Sequence, residues 1–238
     1  MTPHINRLTK FKQWILRLFF ILKNLLLTAL IVSLLSVIVF KYLPVYYTPQ
    51  MCADLLKQAW HGQRPHIEHA WKPMSEMSQN CIQAVVASED YLFVVHKGFD
   101  FDNENIRLNR GARALYRQHN TISEQTACNV FLWHREGYIR NGLEMYFTIL
   151  LEWIWGKERI LEVYLNTTRI GKGIYGVESA SQQYYAHAAD SVTATEAAGI
   201  AACLVNPEHL NPAQPSVYLL RRQAKILGIM EDMIIIKF

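Results

Sequence analysis

Charge is scarce in this chain. Of 238 residues only 18 % are Asp, Glu, Lys or Arg, against 51 % apolar. That balance excludes a disordered protein and assigns part of the apolar surplus to membrane or lipid-facing surface rather than core. The net charge of +4 is too mild for a nucleic-acid binder, and no base-reading motif is present. Cysteine is sparse as well: Cys52, Cys81, Cys128 and Cys203 are widely spaced, without a CxxC metal pattern or a dense disulfide framework. They read as buried free thiols, although an exported domain can oxidise one pair. There is no repeat, no low-complexity tract and no Gly/Ser linker, which argues for one compact unit after the N-terminal segment.

One stretch lacks charge altogether. From Asn24 to Phe40 the chain reads NLLLTALIVSLLSVIVF, and Leu18 to Leu22 extends it on the other side of Lys23. A helix of that length spans a bilayer, with Lys23 and Lys41 snorkelling at its ends. Arg7, Lys10, Lys12, Arg17 and Lys23 precede the centre of the span, whereas Lys41 and Lys57 are the only bases soon after it. The positive-inside rule then puts the N-terminus in the cytoplasm and everything from Tyr42 onward outside. A cleavable signal peptide is disfavoured, because no small-x-small site follows the apolar run.

The exported part reads as mainly helical. Thr48-Pro49 opens a helix through Trp60, Ser78 caps one reaching Glu89, and Ser123 caps one through Leu132. Gly142 to Trp155 and Lys157 to Asn166 give two more, broken at Gly156. Thr193 to Glu196 is a capping box, and Pro215-Ser216 opens a last helix. Strands are short at best. Met145 to Trp155 is apolar almost all round, so that helix is deeply buried or lies against lipid. Around Glu89-Asp90, ASEDYLFVVHKGFDFD sets acids at a helix end, where the dipole is negative and acids do not cap; that placement suggests a site.

These residues carry a resemblance. ASEDYLFVVHKGFD (Ala87 to Asp100) resembles the first signature of the family 51 glycosyltransferases that build peptidoglycan, an acidic pair followed by Phe and then His-x-Gly. NTISEQTACNVFLW (Asn120 to Trp133) is similar to the second, RNGLE (Arg140 to Glu144) to the third and KERILEVYLN (Lys157 to Asn166) to the fourth; GIYGVESASQQYYAH and EAAGIAACLVNPEHLNP resemble the fifth block. The series runs in order from about Thr48 to the C-terminal helix. Ser-x-x-Lys and Lys-Thr-Gly signatures are absent, so the resemblance is to members without a transpeptidase domain.

The resemblance implies a mainly α fold: a lysozyme-like lobe with a small membrane-associated hydrophobic subdomain, preceded by one N-terminal transmembrane helix. The expected division is a cytoplasmic basic tail (1–17), the transmembrane helix (18–41) and an extracytoplasmic glycosyltransferase domain (48–238) at the bacterial inner membrane. Its substrates would be lipid II and the nascent glycan strand, with membrane lipid and other cell-wall synthesis proteins as further partners.

A sugar hydroxyl is a poor nucleophile at neutral pH, so a carboxylate should take its proton; Glu89 is the candidate base. A departing pyrophosphate needs fixed charge nearby, and Glu144 is the second catalytic carboxylate, orienting that group through a divalent metal (Mg²⁺ or Mn²⁺) or a basic neighbour. By resemblance Asp90 supports the base and the local fold, and His96 shapes the site. Phe93 is counted with the substrate-binding residues, with plain core packing as its other reading. Thr121 and Gln125 stand where the family binds sugar and phosphate oxygens, and Thr121 or Ser123 also serves as a cap. Arg140 binds pyrophosphate or pairs with Glu144 at i,i+4. Lys157, Arg159 and Glu162 read as a solvated or fold-maintaining face rather than as catalytic residues.

Departures from the pattern fall in the pyrophosphate cradle. Cys128 occupies the usual lysine, Glu124 a glutamine, Asn141 the lysine beside Arg140, and Glu136 an arginine; Gln118-His119-Asn120 replaces a Gly/Ser run. Arg135, His119, Arg140 or a Mg²⁺ held by Glu124 and Glu144 would compensate, which implies a strong metal requirement. The competing functions are a non-catalytic lipid II-binding scaffold and a lysozyme-like hydrolase.

Overall fold

The computed structural model describes residues 3–100, 121–133, 137–236 and 238, and it divides into two units, 1–43 and 44–238. The first unit is a single helix, α1 (Pro3–Tyr42). No glycine or proline interrupts it after Pro3, so the basic segment expected as a separate tail continues the same helix. From Lys12 to Tyr42 it is long and apolar enough to cross a membrane.

The second unit begins with α2 (Pro49–Trp60), where the Thr48 hydroxyl accepts the Met51 N–H and Pro49 fills the first turn. After β1 (Glu68–His69) and a short 3₁₀ turn at Met74–Glu76 comes α3 (Gln79–Glu89), capped by Ser78. Next among the described helices is α4 (Ile122–Phe131). Its cap is Thr121, not Ser123: Thr121 and Glu124 exchange both bonds of a capping box, while the buried Ser123 hydroxyl donates to Glu152.

Helix α5 (Tyr138–Ile154) begins four residues before the Gly142 start expected from sequence. Gly142 has open space around it and is tolerated inside the helix at a cost of about 1 kcal/mol. Gly156, at φ +77°, separates α5 from α6 (Gly156–Thr167) and supplies the break that the sequence indicates. Then follow β2 (Arg169–Gly171), β3 (Ile174–Tyr175), α7 (Val177–Tyr185), α8 (Ala194–Cys203) and α9 (Val217–Asp232). The three strands form one small sheet in the order β1-β3-β2, parallel between β1 and β3 and antiparallel between β3 and β2.

Two helical groups form the core. In one, α8 packs on α3 and α9; its Ala197, Ala198, Ala201 and Ala202 are buried, and such small side chains let the backbones approach closely. In the other, α4 packs on α5 and α6. Helix α5 has an inverted polarity. Its inner face buries Glu144 and Thr148 with Phe147 and Leu151, while Tyr138, Met145, Ile149 and Trp153 are exposed, Tyr138 by 98 % and Trp153 by 86 %. The spacing 145, 149, 153 aligns three of these on one stripe. Of the two readings open to the apolar run, neither holds for the whole helix: one face is buried and the other is bare.

The capping box of α8, in which Thr193 and Glu196 exchange bonds, is exposed and therefore testable without disturbing the core. Thr193→Ala should cost about 1 kcal/mol, a fall of about 2–4 °C in Tm by circular dichroism.

Candidate active site

The acids at the end of α3 are not there to cap it. Asp90 follows the helix with φ −159° and ψ 77°, which turns its buried carboxylate away from α3. That carboxylate accepts the N–H of Ile122, the first residue of α4, at 3.0 Å, and the Nε2–H of His96 at 2.9 Å. A negative charge thus sits at the positive end of the neighbouring helix, where free N–H groups favour it. The repelling dipole at the end of α3 is offset by the attracting one at the start of α4.

The His-x-Gly pattern follows from the same contact. His96 lies edge-on to the fully buried Phe93 ring, with centroids 6.2 Å apart, and its Nδ1 is buried without a hydrogen-bond partner among the described residues. Gly98 adopts φ +91°, and a Cβ there would lie 3.0 Å from Thr148 Cγ2, so only glycine lets the loop approach α5 this closely. Its carbonyl accepts the Thr121 hydroxyl at 2.6 Å.

Glu89 has a side chain only 3 % exposed. Its Oε1 accepts from the Ser88 hydroxyl at 3.1 Å, and its Oε2 from Gln125 Nε2 at 3.2 Å. Gln125 in turn accepts the hydroxyl proton of Tyr164 at 3.0 Å. Burial, followed by the Glu89 charge, pushes the Tyr164 phenol well above its ordinary value, so it stays protonated and donates. Arg222 of α9 stands 3.9 Å from Glu89 Oε1 and donates to Ser88 Oγ at 3.3 Å.

Glu144, on the buried face of α5, pairs with Arg140 one turn earlier at 2.9 Å. Arg140 also donates from Nη2 to Cys128 Sγ at 3.1 Å and from Nε to the Trp133 carbonyl at 3.2 Å. The Cys128 thiol is pushed up, first by burial and then by the nearby Glu144 charge. It is therefore a thiol, not a thiolate.

Helix α4 relates the two carboxylates. Gln125 touches Glu89 and Cys128 lies beside Glu144, and these positions are three residues apart, about 4.5 Å along the axis and on one side of the helix. Thr121 and Glu124 share that side. Both acids thus border a single helix face.

Most of the sequence-derived site converges here: Glu89, Asp90, Thr121, Glu124, Gln125, Arg140 and Glu144 lie on α4 or beside it, and His96 reaches it through Asp90. Phe93 differs in kind, since a ring with no exposed surface, held under Lys157 Nζ at 4.4 Å, supports the site without presenting a face. Arg135, Glu136 and His119 lie outside the described residues. Lys157 and Arg159 are tied into ion pairs with Glu152 and Glu162.

The family model described as Transglycosylase matches residues 57–231, which covers every site residue named above. The chain belongs to the transglycosylase family. Among the relatives of this transglycosylase, a protein of Bacteroides thetaiotaomicron named biosynthetic peptidoglycan transglycosylase is 42 % identical over 216 residues, 87 % of this chain and 84 % of the relative. Proteins of the same name from Bdellovibrio bacteriovorus and Caulobacter vibrioides are 41 % and 38 % identical, covering 82 % and 87 % of this chain and 79 % and 90 % of their own lengths.

Sequence reasoning missed Arg222. A signal existed: Leu219, Ile226 and Met230 form the buried stripe of α9, and Arg222 falls on that stripe three residues after Leu219 and four before Ile226. A cation on an apolar stripe requires a partner, and here the partner is the end of α3.

Asp90→Asn removes the charged acceptor shared by His96 and the start of α4. It should cost about 1–3 kcal/mol, read as a fall in Tm, and it should lower activity further by loosening Gln125 against Glu89.

Proposed function

We propose that Glu89 is the general base, and Arg140 with Glu144 the leaving-group site, of a membrane-anchored enzyme that polymerises peptidoglycan glycan strands from lipid II. The observation that carries this reading is the placement of both carboxylates along one face of α4. Family membership supports the reaction class, a peptidoglycan glycosyltransferase, and the names of the relatives agree with it.

In this reading the 4-hydroxyl oxygen of an acceptor N-acetylglucosamine attacks the anomeric carbon of the donor. The bond from that carbon to pyrophosphate breaks, the pyrophosphate leaves with the electron pair, and the hydroxyl proton passes to Glu89. A single displacement inverts the centre. Donors from Ser88 and Gln125 hold the Glu89 carboxylate in place for that transfer. Arg140 offers the leaving group a guanidinium, whose planar donors match phosphate oxygens.

The expectation of a divalent ion, Mg²⁺ or Mn²⁺, rests on charge balance alone. Glu124 is engaged by the Thr121 N–H and Glu144 by Arg140, and no group of three His, Cys, Asp or Glu side chains converges among the described residues. These residues do not make a ready metal site. The proposal is accordingly narrow, an ion carried in by the substrate pyrophosphate, and no step is built on it.

Membrane attachment through α1 is supported by its apolar length, and the bare outer stripe of α5 supports a second contact with lipid. The excess of Lys and Arg before the span supports a cytoplasmic N-terminus and a catalytic unit on the outer side of the inner membrane. Other cell-wall synthesis proteins are proposed partners on the strength of the shared reaction.

Purified protein with fluorescent lipid II should yield glycan strands on a gel, and Glu89→Gln should reduce the rate by about a hundredfold or more. No polymer from the wild type would favour a binding scaffold, and digestion of preformed peptidoglycan would favour a hydrolase. EDTA should lower the wild-type rate and added Mg²⁺ should restore it; an unchanged rate sinks the metal proposal.

A further inference from the structure

The trio Cys128, Arg140 and Glu144 is joined through Arg140 by contacts that the reaction as described does not use in full. Arg140 donates to Glu144 at 2.9 Å and to Cys128 Sγ at 3.1 Å, and the Glu144 charge reaches the thiol. The third donor of the guanidinium, Nε, is fixed on the Trp133 carbonyl at 3.2 Å. Three anchors on one arginine leave it little freedom. Its side chain is 17 % exposed and that of Glu144 is 8 % exposed, so the pair is sheltered while part of the arginine stays accessible.

The residue type at 128 decides who partners Glu144. An ammonium there would be drawn to the Glu144 carboxylate and would release Arg140. A neutral thiol cannot replace that charge, so Arg140 both neutralises Glu144 and remains as a cation at the cradle. Sulfur suits this position because it accepts the second arm of the guanidinium. A methyl group would not, and the guanidinium would lose the contact that fixes that arm.

We propose that Cys128 is a positioning residue: accepting from Arg140 Nη2 beside the ion pair with Glu144, its thiol holds the guanidinium in the orientation that receives the donor pyrophosphate. The role rests on the reading of Arg140 as the pyrophosphate cation. It acts on substrate binding rather than on the proton transfer at Glu89, which lies beside the other end of the shared face of α4.

The test uses the full-length protein in detergent micelles, with steady-state polymerisation of lipid II and calorimetric titration with inorganic pyrophosphate. Cys128→Ala should raise KM about fivefold, leave kcat within about twofold and weaken pyrophosphate binding. Cys128→Ser, which also accepts, should move both quantities back toward wild type. Alanine and serine variants that both match wild type would overturn the role, and so would equal impairment of both with equally lowered Tm, which marks a space-filling residue. Arg140→Gln separates the two layers. If it leaves KM and pyrophosphate binding unchanged, the reading of Arg140 fails and Cys128 with it; if it impairs both while the cysteine variants stay normal, only the Cys128 role falls. Should the wild type make no polymer, pyrophosphate binding alone decides: binding weakened by alanine and restored by serine supports the role, and no binding by the wild type overturns it.

Discussion

The carboxylate of Asp90 is the contact on which the site depends. It joins the end of α3 to the start of α4, the two helices that carry Glu89 and its partner Gln125. These helices belong to different packing groups, α3 with α8 and α9, α4 with α5 and α6. A hydrogen bond between charged and neutral groups in a buried setting is stronger and more directional than an apolar contact. It therefore fixes the distance between the groups where packing alone would let them slide. His96 and Gly98 follow from it, the first as a second donor to Asp90 and the second as the residue small enough to let the loop close.

Helix α4 borders both carboxylates because its two faces have separate tasks. Ile122, Ser123, Thr126, Ala127 and Val130 are buried and hold the helix in place. Glu124, Gln125 and Cys128 are half-buried on the other side, where Gln125 meets Glu89 and Cys128 meets Arg140. The same helix gathers the acids from α3 and α5, which are far apart along the chain. That arrangement explains why the second signature is long: it encodes a cap, a core stripe and a row of polar contacts at helical spacing.

Much of this was legible in the sequence wherever the chemistry was local. Thr48-Pro49, Ser78, Thr193 with Glu196, and Gly156 act on their own helix ends, so their spacing identified them. The acids at the end of α3 were recognised as misplaced, yet their reason was hidden, because Asp90 satisfies a helix that begins 32 residues later. Thr121 and Ser123 both fit the cap of α4 by spacing, and what separates them, the Ser123 bond to Glu152, lies on another helix. Arg222 escaped for the same reason: its meaning lies in Ser88 and Glu89, more than a hundred residues away. The early start of α5 was missed because Gly142 looks like a boundary and is merely tolerated.

The reversed polarity of α5 has a consequence for how a lipid-borne donor is presented. A helix with its side chains is about 10–12 Å across, and Glu144 lies on a different face of it from Met145, Ile149 and Trp153. Where the outer stripe rests in the bilayer surface, the thickness of one helix sets the height of Arg140 and Glu144 above the acyl chains. A headgroup then has to climb only that far while its polyprenyl tail stays in lipid. Depth of immersion would thereby become a measure of reach, linking the greasy side of the helix to its far side without a contact between them.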